Sequence, residues 1–391
     1  MENKKYDIRV MGLGKCGGRI VSAMSESFLD SNFKIAVADT DSNDLKLLNE
    51  NIERIQLGKD WTEAHTCGGD FILGRKATSA SSKILSEFID GGNLLICILG
   101  LSGGAGSGAS GILSRLARKA KIPTIFYVTL PFSMEGLRKE SFAEEILRDL
   151  RAVTDAVIVI PNDILFTCMS PDVSAKEAFK IADKIMSESL FGFLEILNAN
   201  TDDLFSLDFT SIINLLKKRN AESSLTMIKS EYTTPEDLID KFLNSPLSGG
   251  HENIKEADAI VFCLLFNKNF SIANLKNCLS TLENNFEFST NISVGTRSVN
   301  YLSENTVSLV GLIIHYKDKE QKTKASIDLR IIKGKDKDKD KKTGKKKQGE
   351  LLLIEQRLGC FTNESPTIGS KGDNLDIPTF QREAISINTG R

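Results

Sequence analysis

The chain is poor in the residues from which most catalytic and metal centres are built. It has three histidines, His65, His251 and His315, spaced far apart, so neither a histidine-based triad nor a histidine metal cluster is readily assembled. They read as surface or packing residues, with a pH-switch role as the alternative. Seven cysteines are scattered without a CxxC pair, which excludes a disulfide framework or zinc ribbon and points to a reducing compartment. No protein-held metal site is expected. No apolar run approaches the roughly 20 residues of a membrane span, and MENKKYDIRV enters a strand-length apolar segment without a cleavage site, so direct membrane insertion and a signal peptide are not expected. Neither sign of charge dominates: 50 Lys and Arg face 52 Asp and Glu, a formal net charge of −2. Without a global positive field, nucleic acid is not an expected partner. A cytoplasmic protein is the reading these absences leave.

What is present is enough apolar residue for two cores: 41% of 391 residues are hydrophobic. Up to about Pro161 the short runs IRVMGLG, FKIAVADT, LLICILGL, TIFYVTLPF and AVIVIPND alternate with amphipathic stretches, the pattern of a parallel sheet covered by helices. SAKEAFKIADKIMSESLFGFLEILNA carries apolar residues at helical spacing and predicts one long helix. Beyond it, helices are expected around TSIINLLKKR, PEDLIDKFLNS and IANLKNCLSTLENN, with strands at ADAIVFCLLF, NISVGTRSV, TVSLVGLIIHY and ASIDLRIIK. The stretch KGKDKDKDKKTGKKKQGE has no large apolar residue and is expected to be a disordered linker.

Two glycine-rich loops carry the chemistry. Gly12, Gly14 and Gly17 match GxGxxG directly after the first expected strand, and Asp39 and Asp41 close the second. Alone, that arrangement fits a dinucleotide site or simply a tight strand-to-helix turn. After LLICILGL comes SGGAGSGAS, with four glycines, leading into a helix. Glycine lets successive backbone N–H groups close around phosphate oxygens, and a helix start adds a positive dipole end. Two such loops in one sheet suggest a polyphosphate held between them. The GxxxxGK[ST] pattern of P-loop proteins is absent.

SGGAGSGAS resembles the tubulin/FtsZ signature GGGTGTGS, and the resemblance runs in order along nearly the whole chain. GLGKCGGRI is similar to the first phosphate loop of FtsZ, CGGDFILGRKA to its γ-phosphate loop and LPFSMEG to its ribose loop. VIVIPNDIL resembles its IVIPNDxL strand end, AFKIADKI the guanine-contacting start of its core helix, SLDFTSI its NxDFxD synergy loop and DIPTF its tail peptide.

The resemblance implies an α/β fold: a Rossmann-like GTPase domain with a parallel sheet, a long central core helix and a second, smaller α+β domain. The expected divisions are 1–175 for the GTP-binding domain, 176–200 for the core helix, 201–333 for the second domain, 334–370 for the linker and 371–391 for the tail. By similarity, Gly14, Lys15, Cys16, Gly17, Gly18, Gly103, Gly104, Ala105, Gly106 and Ser107 cradle the phosphates, while Gly68 and Gly69 line the γ-phosphate. Glu135, with the basic Lys139 after it, serves the ribose, Asn162 lies near the sugar, Phe179 stacks on guanine and Asp183 pairs with its N1 and N2 edge. A carboxylate suits that edge because it accepts two hydrogen bonds from guanine and is repelled by adenine's lone pairs. Expected ligands are GTP or GDP with Mg²⁺. The expected partners are further copies of the chain, joined head to tail, and a membrane tether or division regulator bound through Asp376, Ile377, Pro378 and Phe380 of the tail. The implied role is a filament-forming GTPase of bacterial cell division, acting at the division site.

Hydrolysis in this family is composite, the synergy loop of one subunit entering the nucleotide site of the next. Asp208 stands at the first aspartate of that loop, but Ser206 and Ser211 replace its other polar positions. Slow hydrolysis through Asp208 is expected, with a GTP-bound scaffold that does not hydrolyse as the alternative. Arg19 stands where a base-contacting asparagine is usual, which leaves strict guanine selectivity open. An NAD(P)-dependent oxidoreductase resting on GxGxxG and Asp39 is a third reading, but it leaves SGGAGSGAS and the tail without a role.

Overall fold

The computed structural model describes residues 6–24, 33–167, 169–170, 172–198, 205–217, 221–286 and 291–316. The expected strand ASIDLRIIK, the linker and the tail residues Asp376, Ile377, Pro378 and Phe380 lie outside them.

In chain order the first half runs β1 (Ile8–Leu13), α1 (Gly14–Met24), β2 (Phe33–Asp39), α2 (Ser42–Lys46), β3 (Glu53–Gln56), α3 (Lys59–Thr62), α4 (Phe71–Ala80), α5 (Ser82–Ile89), β4 (Leu94–Gly100) and α6 (Gly104–Ala120). It continues through β5 (Thr124–Leu130), a 3-10 turn at Ser133–Glu135, α7 (Leu137–Val153), β6 (Ala156–Pro161), α8 (Asn162–Thr167) and α9 (Ala175–Leu197). The second half comprises α10 (Phe209–Leu216), β7 (Ala221–Glu231), α11 (Pro235–Leu243), α12 (Gly250–Lys255), β8 (Ala259–Asn267), α13 (Ile272–Asn285), β9 (Ile292–Val299) and β10 (Thr306–Tyr316).

Among the described residues the strands form one ten-stranded sheet in the order β3-β2-β1-β4-β5-β6-β7-β10-β8-β9. Pairing is parallel except at β10, which runs antiparallel to both β7 and β8. Side chains alternate across the pleat, so neighbours in β1 and β4 enter different cores. Val10, Ile96 and Ile98 meet Ile20 and Val21 of α1 and Leu190, Phe193 and Leu194 of α9. Met11, Cys97 and Leu99 meet Leu113 and Ala117 of α6 and Leu147 and Leu150 of α7. Each fully buried Leu, Ile or Phe contributes about 1.5–3 kcal/mol, and this two-faced burial is why these strands read as continuous apolar runs. A third core lies around β8, where Phe262 and Leu264 pack on Phe242 of α11 and Leu282 of α13.

The long helix forms where its periodicity places it. Ser174 caps it by accepting from the Glu177 N–H at 3.3 Å, the first half of an S-x-x-E capping arrangement. Its apolar face is buried through Leu190, Phe193, Leu194 and Leu197. Tyr127 of β5 donates its hydroxyl to the Met186 carbonyl at 3.1 Å, tying the helix to the sheet. At the helix end, Arg297 of β9 meets Glu195 at 2.5 Å with both side chains nearly buried, and its Nη1 also donates to the Asn198 carbonyl.

Two strands lie outside the sequence expectation. β3 is a four-residue edge strand, too short to show a pattern. β7, AESSLTMIKSE, is largely polar with only Ser223, Leu225 and Thr226 buried, yet it pairs along its whole length with β10 and joins the parallel and antiparallel parts of the sheet through Ile158↔Ser223. Its strand state comes from ladder hydrogen bonds and position rather than from apolar alternation.

Candidate nucleotide-binding site

The order β3-β2-β1-β4-β5-β6 places a topological switch point between β1 and β4: from β1 the chain builds outward to β2 and β3, then crosses to β4 on the other side. In open α/β sheets the crevice outside the carboxyl ends of the strands at such a point is where ligands bind. Because these strands are parallel, the loops after β1, β4, β5 and β6 all emerge on that edge.

The two glycine loops flank the switch point and touch. Gly14 holds φ +65° with its Cα facing the Gly106 N–H, where an added Cβ would lie 3.0 Å away. Only glycine takes that conformation without strain. At Gly17, a Cβ would sit 2.1 Å from the Ile98 carbonyl, so the absence of a side chain lets α1 lie directly on β4. Gly18 is buried beneath Val37. In the second loop Gly103 is the N-cap of α6 and supplies no side-chain acceptor. The first N–H groups of this 17-residue helix, at Gly104, Ala105 and Gly106, therefore lie at the crevice end without a side-chain cap, an anion site by dipole and by donors.

The side chains expected at the phosphates are placed less directly. The Ser107 hydroxyl is buried and donates to the Leu101 carbonyl at 3.0 Å. Lys15 forms an ion pair with Asp44 of α2 at 3.1 Å. The Cys16 thiol lies 3.7 Å from the Thr129 hydroxyl, and burial raises its pKa, the direction that disfavours a thiolate. Gly68 and Gly69 form an open turn ahead of α4, both at positive φ, and a methyl group added at either would meet nothing within 4 Å. Asp70 then caps α4 by accepting from the Ile72 and Leu73 N–H groups at 2.8 and 3.0 Å.

The residues expected at the sugar are knit by acids. Glu135 accepts from the Phe132 N–H at 3.0 Å and from Lys139 at 2.8 Å. Asp163 accepts from both the N–H and the hydroxyl of Ser133 and so joins the loops after β5 and β6; it lies in the PNDIL motif, but nothing in the sequence alone singles it out. Beside it, Asn162 has a buried Oδ1 with no hydrogen-bond partner among the described residues, the unmatched acceptor that a ligand hydroxyl would satisfy.

The residues expected at the base form an aromatic shelf. Phe179 of α9 is 37% exposed and packs edge-on against Phe132, with ring centroids 5.2 Å apart; Phe132 in turn stacks on Phe166 at 4.2 Å. Asp183 follows one helical turn later and is held by Arg19 of α1, Nε to Oδ2 2.8 Å. Burial raises the Asp183 pKa and the Arg19 charge opposes that rise.

Asp39 does not serve the role a dinucleotide enzyme would give it. It is 4% exposed, and its Oδ1 accepts from the Thr40 and Asp41 N–H groups at 2.6 and 3.3 Å, so it shapes the turn after β2. Burial pushes its pKa up to about 6.

Asp208 stands apart from these loops. It caps α10, and the next residue, Phe209, stacks on Tyr6 with centroids 4.0 Å apart. Tyr6 precedes β1 whereas Gly14 follows it, so Asp208 lies at the far end of a six-residue strand, about 20 Å from the glycine loops. Its segment is strapped to β9: the Thr296 N–H donates to the Phe205 carbonyl at 2.9 Å, and Leu207 seats over Gly295. A cavity of about 560 Å³ beside Arg118, Lys121, Arg151 and Lys217 lies at the starts of β5 and β6, the opposite edge from the glycine loops.

Comparison with known proteins agrees with this geometry. Residues 7–170 match the Tubulin/FtsZ family, GTPase domain. Cell division protein FtsZ 1 of Pyrococcus horikoshii is 33% identical over 251 residues, 63% of this chain and 65% of that protein; the aligned part thus spans just under two thirds of the relative's length. A solved FtsZ dimer from M. jannaschii superposes with a TM-score of 0.71 at 25% identity, covering 80% of this chain and 89% of that one. CetZ2 from Haloferax volcanii shares the fold, with a TM-score of 0.65 at 19% identity over 81% and 96% of the two chains. By its sequence over residues 7–170, its switch-point glycine loops and its fold, this chain is similar to the tubulin/FtsZ family.

Proposed function

We propose that the chain binds GTP in the crevice at the β1/β4 switch point, assembles head to tail and hydrolyses GTP slowly at the junction between copies, as a cytoskeletal protein of cell division. The observation that carries the reading is the contact of Gly14 with Gly106 beside the uncapped start of α6. The residues present fit a nucleoside triphosphate: backbone donors and a helix dipole for the phosphates, the unmatched Asn162 Oδ1 toward the sugar, and Phe179 and Asp183 for the base. Among the described residues no group of His, Cys, Asp or Glu forms a metal cage. Mg²⁺ would accompany the phosphates, as is usual for this ion, neutralising their charge; no side chain is assigned to it.

Two features support assembly in line. Leu47, Trp61, Ile72, Met134 and Leu137 are exposed on elements that follow β2, β3, the Gly68 turn and β5, around the nucleotide edge, and such apolar surface marks a docking face. Asp208 lies about 20 Å from its own chain's glycine loops by the length of β1, so it would act on a neighbour's nucleotide. The FtsZ relative in M. jannaschii has been solved as a dimer. The divisions at 175, 200, 333 and 370, the cytoplasmic location at the division site and the tail's tether or regulator belong to the same reading. Among the described residues no helix is long and apolar enough to cross a membrane.

One observation favours a scaffold without turnover. The carboxylate of Asp208 is engaged as a helix cap by Ser211, where the family pattern has a second acid. Phosphate release from GTP, measured with light scattering as protein concentration rises, separates the two: release that begins with scattering supports the GTPase, and scattering alone supports the scaffold. Neither signal at any concentration with GTP would overturn the assembly reading.

A further inference from the structure

Arg19 and Asp183 link α1 to α9 across the base end of the crevice. Nε lies 2.8 Å from Oδ2 and Nη2 donates to Oδ1 at 3.4 Å, so the guanidinium spans both oxygens of the carboxylate. The Asp183 side chain is 14% exposed and that of Arg19 44%; the acid is fixed in place while the base can swing outward. The edge of guanine that a carboxylate reads, N1–H, C2 and N2–H₂, is itself a guanidine fragment: planar, with two parallel N–H donors. Arginine presents the same fork to a carboxylate. The two groups therefore match the same pair of oxygens with the same geometry.

We propose that Arg19 competes with the guanine base for Asp183, so that it acts as a built-in stand-in for the nucleotide edge and lowers affinity for guanine nucleotides. The proposal rests on the reading of Asp183 as the base partner. Binding exchanges one two-pronged contact for another. Ion pairs between partly exposed groups are weak, which sets the handicap at about two- to fivefold in affinity. Asp183 is satisfied in both states, by Arg19 or by the base, and a nucleotide lacking paired donors on that edge offers no replacement for what it displaces. With Arg19 removed, the half-buried carboxylate is left without its partner until guanine arrives, so the nucleotide-stripped protein loses stability and the bound form does not.

The test is equilibrium binding of GDP to the full chain stripped of nucleotide, below the concentration at which it assembles, for the wild type, Arg19→Ala, Asp183→Ala and the double variant, with thermal midpoints recorded with and without GDP. The expected result is about two- to fivefold tighter GDP binding for Arg19→Ala, a lower midpoint without GDP, weaker binding for Asp183→Ala, and no effect of Arg19→Ala once Asp183 is gone. Arg19→Gln, which keeps the length of the side chain and removes its charge, carries the test if Arg19→Ala does not fold. Unchanged or weaker GDP binding in the Arg19 variants, with Asp183→Ala still weakened, overturns the competition alone. GDP binding that survives Asp183→Ala unchanged overturns the base-site reading itself, and the competition with it.

Discussion

Ser211 donates both its backbone N–H, at 2.7 Å, and its hydroxyl, at 2.8 Å, to the same oxygen of Asp208. The hydroxyl hydrogen bond is the main reason the Asp208 carboxyl is held below its ordinary pKa. An acid at position 211 would repel Asp208, whereas the serine anchors it as the N-cap of α10. Asp208 thereby has a structural duty beside any catalytic one, and substitutions must separate the two.

Asp208→Ala removes the cap and is expected to cost about 1 kcal/mol of stability along with any GTP turnover. Asp208→Asn keeps an acceptor for the Ser211 N–H and caps nearly as well, so its thermal midpoint should stay near the wild type's while turnover falls. Turnover retained by Asp208→Asn would exclude the carboxylate from the chemistry. The sign with pH follows from the lowered pKa: the cap's ionic contribution is present above the ordinary carboxylate value and is lost as pH falls through the folded one.

Asp39 has the opposite sign. Its pKa rises from 3.8 to about 6 on folding, so the folded chain binds the proton more tightly than the unfolded one. This group's contribution is therefore fully present below pH 3.8 and declines as pH climbs to about 6, by about 3 kcal/mol at most. Asp39→Asn retains the oxygen that accepts from Thr40 and Asp41 and has no proton to lose. Denaturant titrations spanning pH 3.8 to about 6 should show a flatter profile for the variant, with a higher stability at neutral pH; parallel profiles across that window would refute the assignment.

Glycine-to-alanine substitutions should split by surroundings. At Gly17 the new methyl would lie 2.1 Å from the Ile98 carbonyl, forcing α1 off β4 at a cost of about 3 kcal/mol or more and disturbing the first glycine loop with it. Gly111, in the interior of α6 with nothing within 4 Å, should gain about 0.5–1 kcal/mol from alanine through reduced backbone entropy. Thermal midpoints moving in opposite directions check both.

Phe179→Ala should weaken GDP binding by about tenfold, within the ~1–3 kcal/mol range of a base stacked on an aromatic ring. The ring is already 37% exposed and meets Phe132 by its edge, so the fold should lose little. A large drop in thermal stability with unchanged GDP affinity would make Phe179 a packing residue.

Breaking the Arg297 and Glu195 pair, at 11% and 8% side-chain exposure, should cost about 3–5 kcal/mol when one partner is truncated, because the other charge stays buried. Replacing both with apolar residues of similar size should restore much of that loss, and chemical denaturation of the single and double variants measures the difference.

The sequence by itself determined the parts governed by local rules. β1, β2, β4, β5 and β6 are largely buried on both faces and so stand out as apolar runs; α9 shows its core face at helical spacing. The glycines at 14, 17, 103, 104 and 106 mark places where only a bare backbone fits or where N–H groups must stay open. Only the tertiary structure decided what depends on partners distant in the chain. β7 is a strand because β10 pairs with it, a fact its polar sequence does not carry. Asp39 turns inward to hold a turn, Ser107 spends its hydroxyl on Leu101, and Lys15 faces Asp44. The pairing of Arg19 with Asp183 spans 164 positions in sequence. Composition and spacing report the environment a residue requires; which charge or carbonyl supplies it is set by the packing of helices and strands that the local signal cannot see.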